Sequence, residues 1–370
     1  MNKGNGKIQI TETDNSNNII MQAPQTADIE NRQIDLFKGF LCNLGDRDNL
    51  SNTFDLWDSV PRYTISRLQM DKWRKSGEFP NIIKMEFQHR GTQYKASIQA
   101  SWIETGEKQT MGYFPSANEE LVEDALRKIA AEEKNGFFDK PNYRSGVIFT
   151  LHMLRKELKK RGHTRSYQQI VLSLQILAKS TIEIVADNGK KGKRIAISNY
   201  FPTLNVASKD VLESDPDAKW MVQFHPLVTQ EIDLVTYRQF NYSQMMSYST
   251  QLARWLHKQL SLKFTFASMV NVFEIRFSTV KRDSGLLENY AKSSAAIEAL
   301  NNAFKELIEK VLILSVDKVV ILGKRKKIED VIYRLTPSPE FCSEMKVANK
   351  RKILADNKVE DAVVIGGGTR

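Results

Sequence analysis

The sequence predicts an α+β protein made of two tandem winged-helix domains preceded by a flexible N-terminal segment. Three observations predict it. The order helix, strand, helix, tight turn, helix, hairpin runs from Pro115 to Ile197, and it recurs between Leu252 and Leu335. Residues 1–32 are rich in Asn, Thr and Gln and poor in aromatics. Such a segment lacks the apolar surface to offset its ordering entropy.

The first unit opens with a hairpin. Ile83, Met85 and Phe87 alternate with polar residues, as do Tyr94, Ala96 and Ile98, and residues 89–93 separate the two runs. Strict alternation is the signature of a half-buried strand. Pro115-Ser116 then starts a helix, with Glu119 in capping-box spacing. Leu121, Val122, Ala125, Leu126 and Ile129 give that helix one apolar face. A short strand follows over 147–149. Leu151, Leu154 and Leu158 fall at helical spacing, and Gly162 ends the second helix. Ser166 caps the third, with Gln169 again in capping-box spacing and Ile170, Leu174 and Leu177 facing inward. Strands over 181–185 and 194–197 flank Asn188-Gly189, a favoured tight-turn pair. Residues 161–165 form the short Gly-containing link of a helix-turn-helix.

In the second unit Leu252, Trp255, Leu256 and Leu260 mark a first helix, and 273–277 a strand. A short helix covers 278–283. Ile297, Leu300, Phe304, Leu307 and Val311 give a long amphipathic helix. Strands over 319–322 and 331–335 form its wing around 323–327. Residues 198–247 join the two units. Pro337 and Pro339 end the second one.

A chain of 370 residues allows two or three domains. It is 41% hydrophobic and 26% charged, with no run of eighteen apolar residues, so no membrane span is expected. The N-terminus has no apolar signal core. Two cysteines, Cys42 and Cys342, lack metal spacing and fit a reducing cytoplasm. The net charge of +10 makes nucleic acid the commonest kind of partner, and the distribution of the charge decides between that and a protein that is merely basic.

The cations are clustered. Arg155, Lys156, Lys159, Lys160, Arg161 and Arg165 lie in the second helix and turn of the first unit, opposed only by Glu157. Lys190, Lys191, Lys193 and Arg194 sit on its wing, and Lys324, Arg325, Lys326 and Lys327 on the second wing. A recognition helix needs cations around it for phosphates and polar side chains at its N-terminus for base edges. Ser166, Tyr167, Gln168 and Gln169 fill that place in the first unit. Gln pairs with adenine, and Arg165 suits guanine. Lys292, Ser293, Ser294, Asn301, Asn302 and Lys305 form the polar face in the second.

No catalytic constellation stands out, so no enzyme, cofactor or metal is expected. The five histidines, His89, His152, His163, His225 and His257, are isolated in sequence. Gly189-Lys-Lys-Gly192-Lys193-Arg194 has the wrong spacing for a phosphate loop and reads as a wing tip. His225 and His257 read as structural or surface residues.

Gln33, Ile34, Asp35, Leu36 and Phe37 present an apolar pair after a polar lead, at the end of the disordered tail. The pattern resembles the peptide that docks on the bacterial sliding clamp, with Leu36 and Phe37 filling a pocket and Gln33 at its rim. With the duplicated winged helix, the chain resembles the iteron-binding plasmid replication initiators of the two-winged-helix class, of the TrfA type. The resemblance covers roughly 33–337. It rests also on residues 120–126, on Phe149-Thr150-Leu151 entering the basic helix, and on the stretches 237–242 and 252–256 between the units. It implies an initiator without a nucleotide of its own. Such a protein binds tandem origin repeats with two recognition helices in adjacent major grooves. It helps open a neighbouring AT-rich element, recruits the host helicase and contacts the clamp. It further implies homodimers, often formed through the first unit, that repress the initiator's own gene. The competing reading is a winged-helix transcriptional regulator, which has no use for 33–37. The expected boundaries are 1–32 disordered, 33–67 clamp peptide and linker, 68–240 first domain with its leading hairpin, 241–337 second domain, and 338–370 a flexible basic tail.

Overall fold

The computed structural model describes residues 48–104, 110–132, 135–187, 193–206, 218–324 and 327–366. The clamp-like peptide Gln33, Ile34, Asp35, Leu36 and Phe37 and the wing residues Lys190, Lys191, Arg325 and Lys326 lie outside the described residues.

The chain enters through β1 (Leu50–Phe54) and a 3-10 turn (Trp57–Ser59). The first unit then comprises α1 (Arg67–Ser76), β2 (Ile82–His89), β3 (Thr92–Gln99), β4 (Ser101–Glu104), β5 (Thr110–Tyr113), α2 (Ala117–Ala130), β6 (Gly136–Asp139), β7 (Arg144–Thr150), α3 (Leu151–Lys160), α4 (Tyr167–Lys179), β8 (Thr181–Asp187) and β9 (Lys193–Asn199). The connector carries β10 (Thr203–Val206), β11 (Lys219–Gln223), α5 (Pro226–Asp233), β12 (Tyr237–Asn241) and α6 (Tyr242–Met246). The second unit comprises α7 (Gln251–Lys263), β13 (Phe273–Arg276), α8 (Phe277–Ser284), α9 (Ser293–Glu309), β14 (Ile313–Leu322) and β15 (Ile328–Pro337), followed by α10 (Pro339–Gly366). Both units show the winged-helix order of helix, strand, helix, helix and hairpin. Two apolar clusters hold them, one drawn from residues between Phe54 and Met246 and one between Tyr248 and Met345.

The leading hairpin turns at Arg90-Gly91, where both residues take positive φ (47° and 77°). That is the tight turn whose twist matches antiparallel strands. It lays β2–β3 against the wing of the first unit in one four-stranded sheet, β2-β3-β8-β9. The strand entering α3 therefore does not pair with its own wing. β7 sits between β6 and β11, pairing Phe149 with Trp220. The second unit is simpler, a three-stranded sheet of order β13-β15-β14.

Two expected boundaries are corrected. The linker to residue 67 is core from β1 onward. β1 pairs with β12, and Phe54, Trp57, Val60, Tyr63 and Ile65 are buried. The C-terminal stretch starts as helix rather than a loose tail. Phe341, Met345 and Ala348 recur at helical spacing and are buried, and Asn349 Nδ2 donates to the Thr265 carbonyl at 2.8 Å. The basic composition of this stretch concealed its apolar stripe.

The units meet across a buried ionic contact. Arg127 on α2 donates to both oxygens of Asp58 at 2.8 and 3.0 Å, and Arg62 bridges Asp58 and Glu123 at 3.0 Å each. Lys258 on α7 reaches across to Asp124 at 2.6 Å, and Gln259 donates to the Asp58 carbonyl at 3.0 Å. Burial alone would raise the Asp58 and Glu123 carboxyls; the surrounding cations outweigh it, holding Asp58 far below the usual range and Glu123 at about 2. A second contact lies at Gly285, which ends α8 with φ 63°. A Cβ there would meet Thr64 Cγ2 at 2.7 Å on a backbone already in the left-handed region, so the close approach of the units favours glycine.

Two histidines of this region set an acid limit. His225 stacks on Trp57 with ring centroids 4.4 Å apart, and its Nδ1 accepts the Leu227 N–H at 3.1 Å. His257 lies edge-on to Phe240 and Tyr248 at 5.7 Å each. Burial pushes both imidazoles from 6.5 down to about 3. The unfolded chain therefore takes up protons that the folded chain refuses. This contribution to stability is complete above pH 6.5 and is lost as pH falls toward 3. Glu231 has the opposite sign: burial raises it from 4.5 to about 8, so its contribution is complete below 4.5 and fades as pH rises through 8. The urea midpoint is expected to fall below pH 6.5, with Glu231 offsetting part of the loss down to pH 4.5, and His257→Phe to flatten that limb. A midpoint unchanged between pH 6.5 and 4.5 would refute the assignment.

Candidate nucleic-acid interface

In the first unit Thr150 Oγ1 caps α3 through the Met153 N–H at 3.1 Å, and Leu151, Leu154 and Leu158 bury one face. The opposite face carries Lys156, Lys159 and Lys160, all exposed. Lys160 pairs with Asp48 at 2.7 Å, an exposed contact of little energetic consequence. The turn to α4 is held from several sides. His163 Nε2 contacts the Met246 carbonyl at 2.8 Å, and burial lowers its pKa. Arg155 Nε donates to the Arg165 carbonyl at 3.1 Å, and its guanidinium covers the Tyr167 ring at 4.7 Å.

These contacts sort the predicted residues. Arg161 is scaffold: it pairs with Glu157 at 2.9 Å, donates to Ser243 Oγ at 2.7 Å and to the Asp48 carbonyl, and only 6% of its side chain is exposed. Arg155 and Tyr167 brace the turn. Arg165 donates to Asn118 Oδ1 at 2.8 Å, which ties the turn to the start of α2. Ser166 and Gln169 cap each other, Gln169 Oε1 accepting the Ser166 N–H at 2.9 Å and Ser166 Oγ accepting the Gln169 N–H at 3.2 Å. Gln168 is exposed at the N-terminus of α4, its side chain turned to solvent. Lys193 and Arg194 lie in β9; Lys190 and Lys191 of the same wing are outside the described residues.

In the second unit Lys292, Ser293 and Ser294 are exposed at the start of α9. Asn302 and Lys305 continue that face, with Lys305 Nζ at 3.4 Å from Asn302 Oδ1. Asn301 instead accepts from the Tyr333 hydroxyl at 3.0 Å, tying α9 to the wing strand β15. Lys324 and Lys327 are exposed at the wing turn, where Gly323 N–H donates to the Lys327 carbonyl at 2.8 Å. Glu298, absent from the sequence reading, shares the exposed face of α9 with Ser294 and Asn302. Its four-residue spacing from each was the available signal, and a carboxylate there suits the amino group of cytosine.

Gln168, exposed and without a capping role among the described residues, is the side chain on which base reading is tested. Gln168→Ala is expected to relax discrimination at one base position by about 1–3 kcal/mol while leaving binding to random duplex unchanged. Titration against a panel of single-base variants checks this. An equal loss on random DNA would show that α4 does not read bases.

Among the described residues no helix is long and apolar enough to cross a membrane, and no group of three or more His, Cys, Asp or Glu is placed to hold a metal ion.

Two winged-helix units, with exposed cations on α3 of the first and on α9 and the wing turn of the second, define a tandem winged-helix chain. No family model matches it, and no curated protein does. Among solved structures it is similar to a selenomethionine derivative of domains 2 and 3 of RctB, at 12% identity and TM-score 0.44, covering 70% of this chain and 91% of that one. A second structure of RctB domains 2-3 gives 11% identity and TM-score 0.42, covering 73% and 95%. The Pi initiator protein in complex with iteron DNA gives 12% identity and TM-score 0.34, covering 79% and 99%.

Proposed function

We propose that this chain is a plasmid DNA replication initiator that binds tandem origin repeats, without catalysis of its own. One observation carries the reading: a single chain holds two unequal winged helices in contact, Lys258 of the second reaching Asp124 of the first at 2.6 Å. A monomer built this way reads two adjacent major grooves of an asymmetric repeat. A regulator that binds as a symmetric dimer needs one such helix per chain.

In this reading bound protein opens the neighbouring AT-rich DNA and recruits the host helicase, and Gln33, Ile34, Asp35, Leu36 and Phe37 dock on the sliding clamp. The primary test is a footprint on the DNA flanking the chain's own gene. Protection of several directly repeated sites supports an initiator. Protection of one inverted repeat alone favours an autorepressor, and no protection refutes both. For the clamp arm, the full chain is tested for clamp binding with and without Leu36→Ala and Phe37→Ala. Binding is expected to be lost with DNA affinity unchanged; a wild type that does not bind the clamp removes that arm.

A further inference from the structure

A cleft of ≈ 550 Å³ opens between the two units. One wall is the first half of α1, with Arg67, Gln69 and Lys72; another is the start of α2, with Asn118. The second unit supplies Asn289 and Tyr290. Among the described residues no carboxylate lines it.

Its position is defined by its neighbours. Asn118 accepts from Arg165, the residue before the α4 cap. Tyr290 stands two residues before Lys292, the α9 cap. The cleft therefore lies between the N-terminal ends of the two recognition helices, the ends that enter a major groove. A duplex occupied by both helices must carry its intervening sugar–phosphate strands past this seam.

The lining suits that passenger. Lys72 is exposed and makes no ion pair among the described residues. Arg67 is oriented by Glu119 at 2.6 Å and by the Tyr113 ring at 5.1 Å, yet 29% of its side chain remains exposed. Gln69, Asn118 and Asn289 add amides able to donate to phosphate or sugar oxygens.

We propose that the cleft is a third DNA-contacting site, in which Lys72, Arg67 and Gln69 of α1 hold the sugar–phosphate backbone between the two major-groove contacts. The proposal rests on the two-groove reading given above. It makes α1, which carries no winged-helix role, part of the interface, and it lengthens the bound backbone without adding base specificity.

The test measures the salt dependence of binding for the full chain, wild type against Lys72→Ala, on both a protected repeat and a random-sequence duplex. Lys75→Ala, exposed on the same helix and outside the cleft, is the control. Neutralising one phosphate fewer is expected to reduce the slope of log K against log salt by about 0.9 on both duplexes. Lys75→Ala is expected to leave the slope unchanged. Equal slopes for Lys72→Ala and wild type overturn the proposal, as does an equal reduction in Lys75→Ala. A hydroxyl-radical footprint adds a second readout: the backbone between the two major-groove contacts is expected to be protected, and an open spacer also overturns it. Failure of the function reading looks different. No repeat would then be protected, while the slope on random duplex still decides the cleft.

Discussion

Arg127→Met is expected to cost roughly 3–5 kcal/mol of stability, because it strands charges that have no access to water. Arg127 is 2% exposed, donates to both oxygens of Asp58, and lies over the Phe54 ring at 5.4 Å. Its removal leaves Asp58 with Arg62 at 3.0 Å and the more distant Lys258. The methionine fills much of the volume, so the loss reports charge rather than a cavity. The urea midpoint measured by tryptophan fluorescence reads it directly, since Trp57 donates to Glu123 at 2.6 Å within the same network. Adding Asp58→Asn to Arg127→Met is expected to recover part of the loss, because the buried cluster then loses one negative charge together with the positive one. Additive losses in the pair would mean that the two residues do not interact as a unit. A single-variant loss below about 1 kcal/mol would mean the contact behaves like an exposed pair.

This network also shows where the sequence was legible and where it was not. Local rules worked where the structure is local. The caps at Ser116 and Ser166 formed with Glu119 and Gln169 as their spacing required, and the alternation of Ile83, Met85 and Phe87 became β2. The recognition helices followed from apolar residues at helical spacing. Reading failed where burial is created by distant partners. Asp58, Arg62, Glu123 and Arg127 look like surface residues one at a time, and only their approach from positions more than sixty residues apart makes them core. The pairing of β7 with β11 was illegible for the same reason, since its partner lies in the connector. On α3, residue type alone could not separate Arg161, folded onto Glu157 and Ser243, from Lys156 and Lys159, which face solvent.

That distinction yields the second large effect. Removing Lys156 and Lys159 together is expected to weaken binding to every duplex alike, with no change in the preferred repeat. Both side chains are exposed on the helix that precedes α4. Each lysine that no longer neutralises a phosphate reduces the salt slope by about 0.9, so the double variant shows close to twice that reduction. The wild type itself is expected to bind roughly a thousandfold or more weakly at about 200 mM salt than at about 50 mM if six or more phosphates are neutralised. Arg161→Ala provides the contrast. It removes as much positive charge as either lysine, but from a side chain engaged in the fold, so it is expected to lower the urea midpoint and to leave the salt slope unchanged. If Arg161→Ala instead lowers the slope as the lysine variants do, its guanidinium leaves Glu157 for phosphate when DNA binds. If the lysine pair leaves the slope unchanged, this face of α3 does not meet the backbone and the duplex must approach from the wings.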